Sequence, residues 1–393
     1  MKILMINDIG SEMGGAEAMI KQLKVSLIAR GHDVKILSGN EYPQKKLIND
    51  YEFRSFASHS WGRFLLYIYN PFSRIALKKV LKEFQPDVVH LHNISKASPS
   101  ILFCLKNYPT IMTAHDIECI DKTIFSKLKS LHPFKENYSS YFEFKKNIPY
   151  FVQKLRYAII REGQKNIDLF IVPSNAMATI LREGMIKSPI AIVPNGKEEL
   201  RVKATAKLKY NERPSKILFV GRLAPEKGLH ILIEAIRKVL DVFPNVTLTV
   251  VGDGPEADSL KHLVQKYNLR NSVHFTGNLM QDKIIHHFKV TDIVVVPSIC
   301  YESFGLVVVE AMMHGKPVIA SNAGGLSELV DDGITGLLVR PDSAIELGSG
   351  IIKLLTDPNM IESMGRASIN KAKAYSIKQY VDTHIKLYKK VAL

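Results

Sequence analysis

Cysteine, tryptophan and long apolar runs are scarce or absent in this sequence of 393 residues. It contains three cysteines and one tryptophan. An odd number of widely spaced cysteines argues against a disulfide framework and against a zinc knuckle. No run approaches the roughly 20 apolar residues that a transmembrane helix needs, and the opening MKILMIND turns polar too early for a signal peptide. These absences predict a cytoplasmic protein.

Common cofactor and metal motifs are missing as well. Neither G-x-G-x-x-G nor G-x-x-x-x-G-K-[ST] follows a strand-like segment, which disfavours dinucleotide-dependent oxidoreductases and P-loop proteins. His90 and His92, in the segment HLH, are two potential metal ligands without a third, so they do not predict a zinc site. We expect no cofactor and no metal ion.

Positive charge is what the chain has in excess. The formal net charge is +15, with a sequence pI near 9.4. Such a balance favours an anionic partner, which could be nucleic acid, a membrane surface or a phosphorylated substrate. Charge alone does not choose among the three.

Two stretches of the chain resemble each other, one starting at Lys2 and the other at Ser215. Each has an apolar strand, a glycine-containing turn, an amphipathic helix and a second strand, which is the order of a βαβ unit. Near-continuous apolar segments, typical of parallel strands covered on both faces, alternate with helical patterns along the rest of the chain. We predict such strands at 87–93, 110–116, 169–175, 191–196, 273–278, 293–298, 316–322 and 336–339.

The pattern predicts an α/β protein with two Rossmann-like domains. We place the first domain at 1–196 and the second at 197–375, with a polar linker at 197–214. The remaining segment, 376–393, is expected to form a helix that packs back on the first domain.

Glu302 and Glu310 flank an apolar segment that predicts a buried helix, capped by Ser303 and ended by Gly315. If the whole stretch is helical, the two carboxylates are about 12 Å apart along the axis. Glycosidases need about 5–5.5 Å or about 6.5–9.5 Å, so a glycosidase fits poorly. The amides of Gly305, Leu306 and Val307 would instead form an anion site at the helix N-terminus. A structural role for Glu310, bonded to a nearby loop amide, stays open.

Glu302, seven intervening residues and Glu310, followed by AMMHGKPV, resemble the signature of retaining glycosyltransferases, in particular glycosyltransferase family 4. Other elements of that family occur in the family's order along nearly the whole chain: GGAE (14–17), His115–Asp116, VPSN (172–175), VPNG (193–196), GRLAPEKG (221–228), VGDGP (251–255) and SNAGGLSELVDDGITGLLV (321–339). The resemblance implies the GT-B fold, in which two Rossmann-like domains face each other across a cleft. It implies an acceptor-binding first domain and a nucleotide-sugar-binding second domain.

The resemblance also implies roles for individual residues. Arg222 and Lys227 match the family's cationic pair on the donor diphosphate, Glu310 its ribose-binding glutamate, and Glu302 the glutamate near the donor sugar. The other matches are with the phosphate-approaching loop at Gly14 and Gly15, the active-site histidine at His115, and donor-binding positions at Gly277, Phe304, Gly305 and Leu306. The chain departs from the family after VPNG, where a residue and then Asp often follow. Here the sequence reads NGKEE.

These matches imply a retaining glycosyltransferase that moves a sugar from a UDP- or GDP-sugar to a saccharide or lipid-linked acceptor in surface polysaccharide or glycolipid synthesis. No D-x-D motif occurs, so metal-dependent sugar transfer has no support in the sequence. The alternatives are a related GT-B enzyme, such as a nucleotide-sugar epimerase or a sucrose- or starch-type synthase, and a basic binding protein with a dead cleft.

Two segments combine basic and aromatic residues, 61–84 and 122–165. The second holds ten Lys or Arg against three Glu, with nine interleaved Phe or Tyr. Such a surface suits an anionic leaflet at the inner face of the cell membrane. It also suits nucleic acid, which we consider unlikely without a recognisable binding module. A solvated basic face over a helical core is the main alternative to the membrane surface, and nucleic acid comes third.

Overall fold

The computed structural model describes residues 1–11, 14–40, 48–55, 63–116, 150–184, 186–198 and 215–393. They form two compact units. The first contains the described residues within Met1–Leu131, Phe144–Gly196 and Lys378–Leu393, and the second contains those within Lys197–Ile377.

The first unit is built on a parallel sheet of seven strands in the order β3-β2-β1-β4-β5-β6-β7. The strands Val88–Leu91, Thr110–Thr113 and Leu169–Val172 are fully buried, and Lys2–Asn7 is buried beyond Lys2, as expected for a sheet covered on both faces. The strands are β1 Lys2–Asn7, β2 Asp33–Gly39, β3 Tyr51–Phe53, β4 Val88–Leu91, β5 Thr110–Thr113, β6 Leu169–Val172 and β7 Ile190–Ile192.

The helices of the first unit connect and cover these strands. They are α1 Gly15–Ile28, α2 Arg63–Ile68, α3 Pro71–Phe84, a 3-10 helix at Pro99–Cys104, α4 Tyr150–Gly163, a 3-10 helix at Gln164–Asn166, α5 Asn175–Glu183 and the C-terminal helix Ile377–Ala392. Within that last helix, Tyr380, Val381, His384 and Tyr388 are buried. Asp382 of the helix pairs with Arg30 at 3.2 Å.

The second unit has a parallel sheet of six strands in the order β10-β9-β8-β11-β12-β13. The strands are β8 Lys216–Val220, β9 Thr247–Val251, β10 Val273–Gly277, β11 Ile293–Val296, β12 Val318–Ser321 and β13 Gly336–Val339. Alternate residues of β8 belong to different hydrophobic clusters, Ile217 and Phe219 to one and Leu218 to the other. The sheet is therefore packed on both faces, as the apolar runs predict.

The helices of the second unit lie between these strands and after the last of them. They are a 3-10 helix at Pro225–Lys227, α6 Leu229–Leu240, α7 Ala257–Lys266, α8 Gln281–Val290, α9 Leu306–Met313, α10 Leu326–Leu329, α11 Ala344–Thr356, α12 Pro358–Ala372 and a 3-10 helix at Lys373–Tyr375. The C-terminal helix of the first unit, named α13 below, follows directly.

The expected architecture of two Rossmann-like domains is confirmed by the two parallel α/β sheets. Each predicted parallel strand is present, and most are shorter than predicted. The helix near Glu310 differs from expectation, because its N-cap is Gly305 rather than Ser303, and no side chain caps it. Glu302 therefore lies before the helix, and the axial separation of about 12 Å that we derived for a continuous helix does not apply.

Parts of three predicted segments lie outside the described residues. They are 199–214 of the linker, 122–149 of the longer basic segment and 61–62 of the shorter one. Among the described helices, none combines the length and the apolarity that a bilayer crossing requires.

Candidate active site

A lysine, a glutamate and a serine meet just beyond the carboxyl ends of two neighbouring strands of the second unit, β8 and β11. Lys227 ends the 3-10 helix that follows β8, and its Nζ lies 2.5 Å from Oε1 of Glu302. Ser298, two residues past β11, donates from Oγ to the same oxygen at 2.6 Å. Both contacts fall on Oε1, and among the described residues none donates to Oε2. In open parallel sheets, ligands bind at this edge.

The charges of Lys227 and Glu302 stabilise each other. Burial alone would lower the pKa of Lys227, but the adjacent carboxylate outweighs it, and the pKa lies above its ordinary value. Burial alone would raise the pKa of Glu302, but Lys227 and the Ser298 hydroxyl outweigh it, and the pKa lies below its ordinary value. Both groups are therefore charged at neutral pH. The lysine has further N–H donors for a ligand.

Arg222 lies in the same turn after β8 and contacts Glu226. The two side chains form an ion pair four residues apart, and the Arg222 side chain is 51% exposed while that of Glu226 is 11% exposed. The guanidinium thus lies at the surface of the turn with its orientation fixed by a buried carboxylate. A planar, forked donor in this position suits phosphate oxygens.

Glycines allow the loops of this site to approach closely. Gly228 has φ of +67°, and a Cβ there would lie 2.0 Å from the carbonyl oxygen of Pro297. Gly324 has φ of +58°, and a Cβ there would lie 2.4 Å from the carbonyl oxygen of Glu302. Any larger residue would push the turn after β8 or the loop before α10 away from the segment that carries Ser298 and Glu302.

Glu310 lies inside α9, where the sequence leaves its partner open between a ligand hydroxyl and a loop amide. The structure gives it an ammonium group instead, because Lys197 Nζ lies 2.5 Å from its Oε1. The two side chains are 20% and 15% exposed, lysine first. Glu310 is thus a charged group held in place near the surface.

The remaining candidates of the second unit lie at strand and helix ends. Gly305 is the N-cap of α9 with φ of +117°, and Leu306 is its first residue. Phe304 is buried and packs edge-to-face against Tyr375, with ring centroids 5.9 Å apart. Gly277 is the last residue of β10, with φ of +71° and no described atom within 4 Å of the position that a Cβ would take.

In the first unit, Gly14 and Gly15 form the start of α1. Gly14 is the N-cap, in an extended conformation, and Gly15 is the first helical residue. The buried Glu17 follows in the first turn, where a carboxylate is favoured by the helix dipole. A Cβ on Gly14 would lie 3.1 Å from Oε2 of Glu17, so a side chain there would require a small shift of that carboxylate.

His115 follows β5 and contacts a second histidine. Its Nε2 lies 3.0 Å from Nδ1 of His92, and the two rings stack with centroids 5.2 Å apart. Burial lowers the pKa of His115 to about 4, with a smaller contribution from His384. At neutral pH His115 is therefore uncharged, and its imidazole has one nitrogen that donates a hydrogen bond and one that accepts.

The neighbouring His90 connects the sheet to the C-terminal helix. Its Nδ1 lies 2.7 Å from the hydroxyl oxygen of Tyr388, and its Nε2 lies 2.7 Å from the hydroxyl oxygen of Thr113. Burial holds the pKa of His90 well below its ordinary value. Both ring nitrogens are partnered, so His90 is a structural residue.

Sequence reasoning missed several residues of these clusters. Ser298 falls inside the predicted strand at 293–298, and the sequence assigns no role to Glu226 or Lys197. Glu226 could have been found from its position four residues after Arg222, since such pairs meet across one turn. Lys197 fills the position after VPNG for which the family pattern specifies no residue, and its partner Glu310 is distant in the sequence.

Known families match both halves of the chain. The description "Glycosyltransferase Family 4" matches residues 13–198, and "Glycosyl transferases group 1" matches residues 201–371.

Individual relatives are similar over parts of the chain. A glycogen synthase of Mycobacterium tuberculosis is 26% identical over 73% of this chain, and the match spans 64% of that protein's length. A lipopolysaccharide 1,2-N-acetylglucosaminetransferase of Salmonella typhimurium is 32% identical over 48% of this chain and 53% of its own.

Solved structures share the fold over nearly the whole length. A sucrose-phosphate synthase from Thermosynechococcus elongatus has a TM-score of 0.78 at 23% identity, covering 99% of this chain and 98% of its own. Anabaena HepE, solved in complex with UDP-glucose, has a TM-score of 0.71 at 21% identity, covering 99% of each chain. With a family 4 match in the first half, a group 1 match in the second and the GT-B fold throughout, the chain belongs to the GT-B glycosyltransferases.

Proposed function

We propose that this protein is a retaining, metal-independent glycosyltransferase that uses a nucleoside-diphosphate sugar as donor. The observation that carries the proposal is the pairing of Lys227 with Glu302 beyond β8 and β11, next to Arg222. Two cations at this edge suit a diphosphate, and a carboxylate with one oxygen that no described residue donates to suits sugar hydroxyls. A UDP-glucose complex of the structural neighbour HepE supports the same class of donor.

The proposed chemistry needs no covalent nucleophile. The bond between the anomeric carbon and the phosphate oxygen breaks, and the acceptor oxygen attacks from the same face. The leaving phosphate takes the proton of the acceptor hydroxyl. Arg222 and Lys227 stabilise the negative charge that develops on that phosphate. The neutral His115 is proposed to contact the transferred sugar. The loop at Gly14 and Gly15 is proposed to contact the phosphates.

A thermal-shift panel tests the donor class. Binding of a ligand to the folded state alone raises the unfolding temperature by mass action. Wild-type protein is expected to be stabilised by at least one of UDP-glucose, UDP-N-acetylglucosamine, GDP-mannose and ADP-glucose at millimolar concentration. Absence of any shift, repeated by calorimetry, would contradict the proposal.

The two glutamates are predicted to read different parts of the donor. Glu310→Gln is expected to weaken free nucleoside diphosphate and sugar nucleotide alike, because ribose is common to both. Glu302→Gln is expected to weaken the sugar nucleotide more, because its open oxygen is proposed to accept from sugar hydroxyls. Isothermal titration of each variant with both ligands measures the two ratios, and the opposite order would overturn these roles.

The anomeric configuration of the donor is predicted to be kept. Attack from the face that the phosphate leaves produces a glycoside of the same configuration. Proton NMR during turnover distinguishes the two products by the anomeric coupling constant of the first product formed. An inverted product would contradict the proposed mechanism.

We propose that the acceptor is lipid-linked and that the first unit meets it at an anionic membrane surface. Helices α3 and α4 both pack against the 3-10 helix at Pro99–Cys104, and all three expose apolar residues. These are Phe72, Ile75, Phe103, Phe151 and Leu155, which are 41%, 67%, 42%, 70% and 50% exposed. Exposed cations lie on the same two helices: Lys78, Lys79, Lys82, Lys154 and Arg161. Apolar side chains among cations suit a headgroup layer, where each basic residue contributes about 1 kcal/mol.

Vesicle sedimentation measures this docking. Wild-type protein is expected to pellet with phosphatidylglycerol-containing vesicles at low salt and to be released at high salt. The double variant Phe151→Ser, Leu155→Ser removes two apolar groups one turn apart on α4 and is expected to bind about tenfold more weakly or worse. Ile345→Ser in the second unit, where the side chain is 66% exposed, is the control and should bind like wild type. A wild-type protein that ignores these vesicles at low salt would favour a soluble acceptor.

A further inference from the structure

Lys197, the residue at which the chain enters the second unit, pairs with Glu310, the residue that we propose binds the ribose. Its side chain contacts Glu310, while its backbone N–H donates to the carbonyl of Tyr375 at 2.9 Å and its carbonyl accepts from Ile377 at 2.8 Å. The two bonds form a parallel bridge between Lys197 and Ser376. The origin of the lysine side chain is therefore fixed by backbone contacts on both sides.

The same segment also holds the beginning of α9. The ring of Tyr375 packs against Phe304, two residues before the first residue of the helix that carries Glu310. The segment Tyr375–Ile377 thus contacts both Lys197 and the residue Phe304 before α9, the helix that carries Glu310. These contacts hold the two charged side chains near each other. Only a fifth or less of either side chain is exposed.

The chemistry of the pair matches a hydroxyl better than either member does alone. A carboxylate only accepts hydrogen bonds, and an ammonium group only donates them. Lys197 is bonded to Oε1 of Glu310, and the described residues place no donor on Oε2. The ammonium has three N–H groups, of which this bond uses one. A ribose hydroxyl can therefore donate to Glu310 and accept from Lys197 at the same time.

We propose that Lys197 is a specificity-determining residue that reads the ribose 2′-hydroxyl of the donor nucleotide together with Glu310. This inference rests on the proposed function, which assigns Glu310 to the ribose. The family resemblance assigns no role to the residue after VPNG, so the inference depends on the geometry of this chain. A nucleotide without the 2′-hydroxyl leaves both charged groups without that partner.

The experiment compares UDP, GDP and ADP with their 2′-deoxy forms by isothermal titration. Wild type is expected to prefer the ribose form of its nucleotide by about tenfold or more, since a polar site discriminates against an analogue that lacks the hydroxyl it binds. In Lys197→Met the preference is expected to fall to about threefold or less, with binding of the 2′-deoxy form changed by less than about twofold. Lys197→Arg, which keeps the cation, should retain part of the preference.

Lys371→Met is the matched control, because Lys371 is also a lysine of the second unit paired with a carboxylate, that of Asp331 at 2.7 Å. Its nucleotide preference should equal that of wild type. Unfolding temperatures without nucleotide show whether each variant is folded.

The possible outcomes separate the two proposals. If wild type binds none of the six nucleotides, the proposed function fails. If wild type binds and Lys197→Met keeps the full preference, loses affinity equally for both forms, or binds the ribose form more tightly, the role of Lys197 is wrong while the donor class stands.

Discussion

Replacing Lys227 with alanine is expected to lower kcat by about 100- to 1,000-fold, which corresponds to roughly 2.7–4 kcal/mol of transition-state stabilisation. The proposed reason is that the ammonium group stabilises charge on the leaving phosphate, a charge that is greater in the transition state than in the bound donor. The Michaelis constant for the donor should change less than kcat. Steady-state kinetics with the donor identified by thermal shift measures both.

The structure adds a second consequence of this substitution, because Glu302 would lose its cationic partner. A largely buried carboxylate without its cation is costly, so Lys227→Ala is expected to be less stable as well as less active. Lys371→Ala breaks another ion pair of the second unit and serves as the reference for that effect. Near-normal turnover in Lys227→Ala would remove the basis of the proposed phosphate site.

Replacing Tyr388 with alanine is expected to destabilise the first unit by about 3–5 kcal/mol, the usual cost of removing a large buried aromatic side chain. Tyr388 is 0% exposed and holds the buried His90 through a hydrogen bond of 2.7 Å. Calorimetry should show the transition of the first unit moved down by about 6–20 °C. The transition of the second unit, to which Tyr388 does not belong, is the internal reference.

Tyr388→Phe separates packing from hydrogen bonding. The ring remains, but Nδ1 of His90 loses its partner inside the protein, which costs about 1–3 kcal/mol. A first-unit transition that is unchanged in both variants would show that α13 contributes little to the stability of that unit.

The fold was predictable because both sheets are covered on two faces. Their strands must then be apolar at nearly every position, and such runs as KILFV and IVVV are visible in the sequence. Most predicted segments extend beyond the strands because the sequence pattern does not show where pairing in the sheet ends. Pro297 and Ser298 follow β11 without pairing in the sheet, and the Ser298 hydroxyl donates a hydrogen bond to Glu302 instead.

The contacts of the site were less predictable, because they depend on tertiary structure. The start of α9 is set by Gly305 at φ of +117° and by the bond from the Gly325 N–H to the Glu302 carbonyl at 2.7 Å. The prediction of Ser303 as the N-cap used only local sequence, and it could not take account of a bond from a residue more than 20 positions away. The partner of Glu310 depends on the bridge between Lys197 and Ser376, which no local pattern of residues specifies.

The burial of Tyr388 in the first unit has a consequence for biosynthesis. The ribosome completes residues 1–196 and then adds all of the second unit, Lys197–Ile377, before it reaches the helix that contacts His90. At 5–20 residues per second this delay lasts roughly 10–40 s. During that time the nascent first unit lacks the hydroxyl that pairs with His90. The part of the chain that is made first therefore completes its buried contacts only when the last helix has been made.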